Sequence, residues 1–257
     1  MYTPEEIAKN FIQVGIKKAG LPKIRMLVLG IFAGFFIALA GAGSVVASST
    51  VESLSLSKFM SGIVFPAGLL MVILAGSELF TGNALIVISV VEKKVKLKDM
   101  LVNWLIVYAG NLIGSLLVAF AFVYGDCTSL LDGMVGLALV NSAAAKTAMG
   151  TGVAFIRGIL CNFLVCIAVW IAAAAKEPIG KIAGLFLPIA IFVMCGFEHS
   201  VANMFFIPAG MLCDSLTGGY AGLSLLGMIH NMVPVTLGNI AGGLIVGCGY
   251  HYIYLRK

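Results

Sequence analysis

Gly196-Phe197-Glu198-His199-Ser200-Val201-Ala202-Asn203 sets a carboxylate, an imidazole, a hydroxyl and an amide inside an otherwise apolar run. Residues 183–194 before it are nearly all apolar, and 204–207 after it are Met-Phe-Phe-Ile. If this run crosses a membrane, the polar break lies at depth. There an unsatisfied polar group costs several kcal/mol, so such a break marks a functional site by default.

The composition puts the run in a membrane. Of 257 residues, 61% are apolar and only 11% are charged, whereas a soluble domain carries about 25% charged residues. So few charges cannot cover a water-facing surface. The net charge of +5 is concentrated at the ends and in two loops, which excludes a nucleic-acid footprint and marks topology instead. The first 25 residues lack the apolar core and cleavage site of a signal peptide. Six cysteines occur without a CxxC pair, so neither a zinc ribbon nor a thioredoxin motif is indicated. Cys161, Cys166, Cys195 and Cys248 fall in apolar segments as small hydrophobes. Cys127 and Cys213 lie in loops on one side, where a disulfide is open.

The fold class read from the pattern is an all-α membrane protein with six spans. Residues 3–19 form an amphipathic helix: Thr3 caps it, Pro4 suits its first turn, and Ile7, Phe11 and Val14 share a face. This helix, within 1–25, is expected to lie on the membrane or against a neighbouring subunit. A channel domain follows at 26–257. Its spans are 26–48, 59–91, 100–124, 152–175, 182–207 and 235–255. The second is too long for one straight crossing and is interrupted at Gly76-Ser77-Glu78-Leu79-Phe80-Thr81-Gly82-Asn83. Residues 134–149 are expected to dip back toward the membrane, and 208–234 to form a long loop.

Cations alternate along the chain. Lys9, Lys17, Lys18, Lys23 and Arg25 precede the first span; Lys93, Lys94, Lys96 and Lys98 follow the second; Lys176, Lys181, Arg256 and Lys257 complete that side. Lys58 and Lys146 stand alone on the other, and Arg157 lies within a span. The positive-inside rule then puts both termini in the cytoplasm and Lys146 outside.

The two breaks resemble each other. Asn83 follows Glu78 as Asn203 follows Glu198, and the next span carries Gly110-Asn111-Leu112-Ile113-Gly114 in one case and Gly238-Asn239-Ile240-Ala241-Gly242 in the other. Two three-span halves in one chain must be inverted, because three is odd. Repeats at about 26–125 and 150–257, with the second and fifth spans broken, match the architecture of transporters and channels.

His199 is the sharpest candidate, since an imidazole near neutral pH can donate a hydrogen bond or a proton. Glu78 and Glu198 are read first as acceptors for backbone donors freed at a break, with proton carriage as the rival role. Thr81 offers a hydroxyl to a solute. Phe65, Leu69, Phe80 and Phe192 can form apolar constrictions. Lys146 is open between a plain surface lysine and a lure for anions. His230 and His251 read as membrane-boundary residues. No metal-ligand spacing or second intramembrane histidine favours a haem or metal protein, so no cofactor is expected and no enzyme.

Ser77-Glu78-Leu79-Phe80-Thr81-Gly82-Asn83 together with Glu198-His199-Ser200-Val201-Ala202-Asn203 resembles the formate/nitrite transporter family, and Arg157-Gly158-Ile159-Leu160-Cys161-Asn162-Phe163-Leu164-Val165-Cys166 is similar to its fourth-span motif. The resemblance covers essentially the whole chain. Within the family the sequence is most similar to the hydrosulfide-conducting members of clostridial bacteria. The resemblance implies an aquaporin-like protomer in a homopentamer, each with its own pore, in the bacterial inner membrane. It implies that His199 is the central histidine, Thr81 the facing hydroxyl, and Asn162 and Asn203 supports of the break. Leu69, Phe80 and Val165 would form the cytoplasmic constriction, Phe65 and Phe192 the outer one, and Lys146 would sit in the outer vestibule. The expected cargo is a small weak-acid anion, hydrosulfide first, with formate and nitrite also permeant. A proton-coupled formate or nitrite symporter is the alternative.

Overall fold

The computed structural model describes residues 1–256 and is all-helical. The first helix, α1 (Pro4–Ala19), starts where Thr3 and Glu6 cap each other's backbone in a capping box, satisfying two otherwise orphan donors. Then follow α2 (Lys23–Ser48), α3 (Leu54–Val64), α4 (Pro66–Met71) and a π-helical turn at Val72–Gly76. After a gap come a tight 3-10 turn at Gly82–Ile86, α5 (Val87–Val91) and α6 (Leu97–Tyr124). The rest is α7 (Met134–Thr147), α8 (Thr151–Ala174), α9 (Pro178–Met194), α10 (Ser200–Leu216) and α11 (Leu225–Tyr254).

Five segments are long and apolar enough to cross a membrane: α2, 54–76, α6, α8 and α11. Shorter apolar helices, 82–91, α9 and α10, make up the broken parts. Helix α2 packs along α6, and α8 along α11. Small residues make this close approach possible. A Cβ added at Gly114 would fall on the carbonyl oxygen of Ile31, and one at Gly242 on that of Ile159. The outward faces of these helices remain apolar, with Leu105, Val28 and Leu237 exposed, as a lipid or subunit environment requires.

Several expectations need correction. Residues 208–234 are not a long loop. Helix α10 continues through Pro208 to Leu216, and α11 starts at Leu225 with Ser224 as its cap and runs through Pro234. A proline removes one donor, but membrane helices tolerate it because neighbours satisfy the freed carbonyl. Helix α1 does not lie apart as an interfacial helix. Its buried residues Ile7, Ala8, Phe11 and Gly15 pack on 82–91, and Ser89 donates to the carbonyl of Ile12 at 2.9 Å. Cys127 and Cys213 are free thiols. His251 is not merely a boundary residue: its Nε2 lies 2.6 Å from the Glu92 carboxylate.

The candidate pore and its central histidine

Both breaks are built the same way from the backbone up. Gly76 and Gly196 take positive φ, +84° and +67°, which a residue without Cβ adopts freely. The chain then runs extended, and its freed amides find equivalent carbonyls. Ser77 N–H donates to Val72 O, and Phe197 N–H to Phe192 O, both at 3.0 Å. Glu78 N–H donates to Leu29 O at 3.2 Å, and Glu198 N–H to Arg157 O at 3.3 Å.

Asparagines of the adjoining spans hold each break. Asn111 accepts from Phe80 N–H and donates to the carbonyls of Gly30 and Glu78. Asn239 accepts from Ser200 N–H and donates to the carbonyls of Gly158 and Glu198. These bonds satisfy donors and acceptors that the break would leave bare in lipid.

The carboxylates are held alike. Glu78 accepts from Lys18 Nζ at 2.8 Å and from Asn83 Nδ2 at 2.7 Å, and Asn83 also donates to Asn103. Glu198 accepts from Lys146 Nζ at 2.8 Å and from Asn203 Nδ2 at 2.7 Å, and Asn203 also donates to Asn231. Asn103 and Asn231 in turn donate to the backbone carbonyls of Lys18 and Lys146. Lys146 is therefore not an isolated surface cation. Its side chain is largely buried beside Glu198, with its ammonium 5.7 Å from the Phe206 ring.

His199 caps α10, its Nδ1 accepting from Ala202 N–H at 3.1 Å. With Nδ1 an acceptor, the ring hydrogen belongs on Nε2. That nitrogen meets Thr81 Oγ1 at 2.9 Å, so the two breaks touch at a hydroxyl and an imidazole, both buried. Asn162 supports the Thr81 side by donating to its carbonyl at 3.2 Å and to the Asn239 carbonyl at 2.6 Å.

Two cavities lie near the breaks, one of them reaching His199. The one beneath α1 has a volume of about 550 Å³ and is lined by Phe11, Lys18, Leu69, Leu79 and Asn83 among others. The one beneath α7, about 620 Å³, is lined by Phe65, Phe192, Lys146, Glu198, His199 and Asn203 among others. The Phe65 and Phe192 rings meet edge to face at 5.6 Å, and Phe192 stacks over His199 at 5.9 Å. Phe80, Thr81 and Val165 are buried and border neither cavity. Each cavity combines basic residues, Lys17, Lys18 and Lys181 in one and Lys58, Lys146 and Arg157 in the other, with apolar side chains.

Of the residues singled out in the sequence, His199 and Thr81 meet, Lys146, Glu198 and Asn203 share one hydrogen-bond network, Asn162 bonds the Thr81 carbonyl, and Phe65 packs on Phe192. Leu69 lines the cavity beneath α1, which Phe80 and Val165 do not border. The reading missed Lys18, Asn103, Asn231 and Leu79. Lys18 was hidden in a run of surface-like lysines; its spacing from Glu78 carries no signal. Asn103 and Asn231 each precede the Gly-Asn motif by eight residues, a match that could have been found. Among the described residues no group of three His, Cys, Asp or Glu side chains is placed to hold a metal ion.

The comparisons with known proteins agree with this geometry. The model of the formate/nitrite transporter family matches residues 5–253. The chain is 40% identical over 259 residues to the uncharacterized transporter YrhG of Bacillus subtilis, covering 99% of this chain and 94% of that protein. It is 34% identical over 270 residues to the formate channel FocA of Escherichia coli, covering 99% and 95%. Among solved structures, a pentameric formate channel with formate bound superposes with a TM-score of 0.80 at 34% identity, covering 91% of this chain and 98% of that one. These relatives are membrane transporters and channels, not enzymes, and this chain belongs to the formate/nitrite transporter family.

Proposed function

We propose that the chain is an inner-membrane channel for small monovalent weak-acid anions, hydrosulfide among them, with formate and nitrite also permeant. The observation that carries this reading is the buried contact between His199 Nε2 and Thr81 Oγ1, with two cavities near the breaks that each combine basic residues with apolar side chains. Formate-type transport is supported by relatives that carry formate in their names.

The mechanism follows from solvation. Lys146, on the side assigned as outer by the alternation of cations, raises the local anion concentration. An ion passing into the apolar floor loses its hydration, which is costly for a charge. A weak-acid anion escapes this cost. It takes up a proton drawn from the outer aqueous phase and relayed by water near His199, becomes the neutral acid, crosses the floor past Leu69, Phe80 and Val165, and returns the proton to water on the cytoplasmic side. His199 Nε2–H and the Thr81 hydroxyl supply the polar contacts at the midpoint. Asn203 and Glu198 hold Lys146 and the break; Phe65 and Phe192 narrow the outer approach.

The matched bonding of the two breaks supports six spans in two inverted three-helix repeats, the alternation of cations supports cytoplasmic termini, and the likeness to a pentameric formate channel supports an aquaporin-like protomer of a homopentamer. Lys18 and Lys146 occupy equivalent positions, so we extend each repeat to include the helix before it, α1 or α7. His199→Phe tests the chemistry: pH-dependent anion flux in proteoliposomes should be abolished. Unchanged flux with unchanged pH dependence would sink the proton role.

A further inference from the structure

The backbone clamps and carboxylate networks of the two breaks match in most of their bonds, although Lys18 also bonds Asn83 Oδ1 while Asn203 Oδ1 has no partner. A place where the other side chains depart from that match points to a specialised task. One such place lies on α6. Trp104, Tyr108 and Asn111 fall on one helical face. Asn111 fixes the Phe80 backbone at 3.0 Å. The Phe80 ring meets Tyr108 edge to face at 4.8 Å and Trp104 at 6.1 Å. In the other half the equivalent positions hold Ser200, Met232 and Thr236, and the aromatic set is gone.

Tyr108 also meets its own counterpart across the molecule. Its hydroxyl lies 2.8 Å from Thr236 Oγ1. Tyr108 stands two residues before Gly110-Asn111, and Thr236 two residues before Gly238-Asn239. Equivalent positions that touch lie where the two halves meet. Among the described residues this is the side-chain hydrogen bond that joins α6 to α11, helices whose main partners are α2 and α8. At that depth, with little water to compete, a hydroxyl pair is held in place.

We propose that Tyr108 is a positioning residue that sets the width of the cytoplasmic constriction: anchored by Thr236, its ring backs Phe80 and keeps the path narrow enough to favour the smallest carboxylates. This rests on the reading of Phe80 as part of that constriction. Aromatic edge-to-face contacts and one hydrogen bond are each small, but where a constriction approaches the size of its solute, a fraction of an ångström of ring movement changes which solutes pass.

The test is the acetate-to-formate flux ratio of the full-length channel in proteoliposomes. Tyr108→Phe and Thr236→Val should each raise it by about threefold to tenfold, the range set by the net worth of one hydrogen bond. The double variant should do no more than either single one, because both remove the same bond. Thr236→Ser, which keeps the hydroxyl, should retain the original ratio. Phe80→Ala should raise the ratio further and abolish any effect of Tyr108→Phe. An unchanged ratio in both single variants, with the protein folded by size-exclusion chromatography, overturns the proposal. If Phe80→Ala alone raises it, the constriction reading survives; if Phe80→Ala also leaves it unchanged, that reading falls too.

Discussion

The break at Glu78 and the break at Glu198 share a scaffold and differ in what they offer a solute. Each has a positive-φ glycine, a Lys–Glu pair, two asparagines on the carboxylate's network and a third that clamps the backbone. At the centre the likeness ends: the first break presents Phe80 and Thr81, the second His199 and Ser200. The polar scaffold answers a demand common to both halves, satisfying open backbone in lipid. The differing residues answer a demand made once, at the meeting point. Repetition therefore identifies support, and departure from repetition identifies the working groups.

Removing either carboxylate should have the largest effect. Glu78→Ala and Glu198→Ala each leave a mostly buried lysine without its partner, a loss of about 3–5 kcal/mol for a buried pair. Both variants should lose folded protein in detergent to a similar degree, measured as thermal melting followed by size exclusion. A large loss in one and none in the other would break the equivalence of the halves.

Packing should rank next. Gly114→Ala and Gly242→Ala put a methyl on a carbonyl of the facing helix, and forced backbone shifts of that kind cost about 1–3 kcal/mol each. Comparable falls in melting temperature are expected for the pair.

A milder contrast, in uptake per folded protein, comes from the two lysines. Because each change also sets two carboxylates together at a largely buried pair, uptake is normalised to the folded fraction. Lys146→Glu should then lower anion uptake from the α7 face by about tenfold at low salt, and Lys18→Glu should do so from the α1 face. Raising ionic strength should lower wild-type uptake and shrink the difference. Uptake unaffected by Lys146→Glu would confine that residue to its pairing with Glu198.

The smallest effect lies outside the match, at the start of α1. Glu6 accepts from Thr3 N–H at 2.7 Å and from the Thr3 hydroxyl at 3.0 Å, and these bonds hold its carboxyl below the usual carboxylate range. A lowered value means that the capping is fully present above the ordinary carboxylate range and fades as pH falls through Glu6's own value. Amide exchange of Thr3 and residues 5–8, corrected for intrinsic rates, should show that step in the wild type and lose it in Glu6→Gln.

Much of the site was legible in the sequence because polar residues in an apolar run stand out. Glu198, His199 and Asn203 are conspicuous for that reason, and the paired Gly-Asn motifs disclose the second break. Lys18 was not legible, since one lysine in a cationic helix looks like its neighbours until the helix docks. Leu79 was hidden in the opposite way, as one apolar residue among many. The segment 208–234 was read as a loop; it is bounded by two prolines, and proline ordinarily stops a helix. In water that rule is sound, but packed membrane helices resatisfy the carbonyl that proline frees. Helix α1 was placed outside the protomer because amphipathicity shows that a face is buried without showing against what.

The central claim is that an anion crosses the apolar floor by becoming a neutral acid. Flux of formate, nitrite, hydrosulfide and chloride through the reconstituted protein, side by side at several pH values, tests it most directly. The three weak-acid anions should permeate and rise in flux as pH falls, while chloride, whose acid is too strong to form, should be excluded. Chloride flux equal to that of formate, independent of pH, would contradict it.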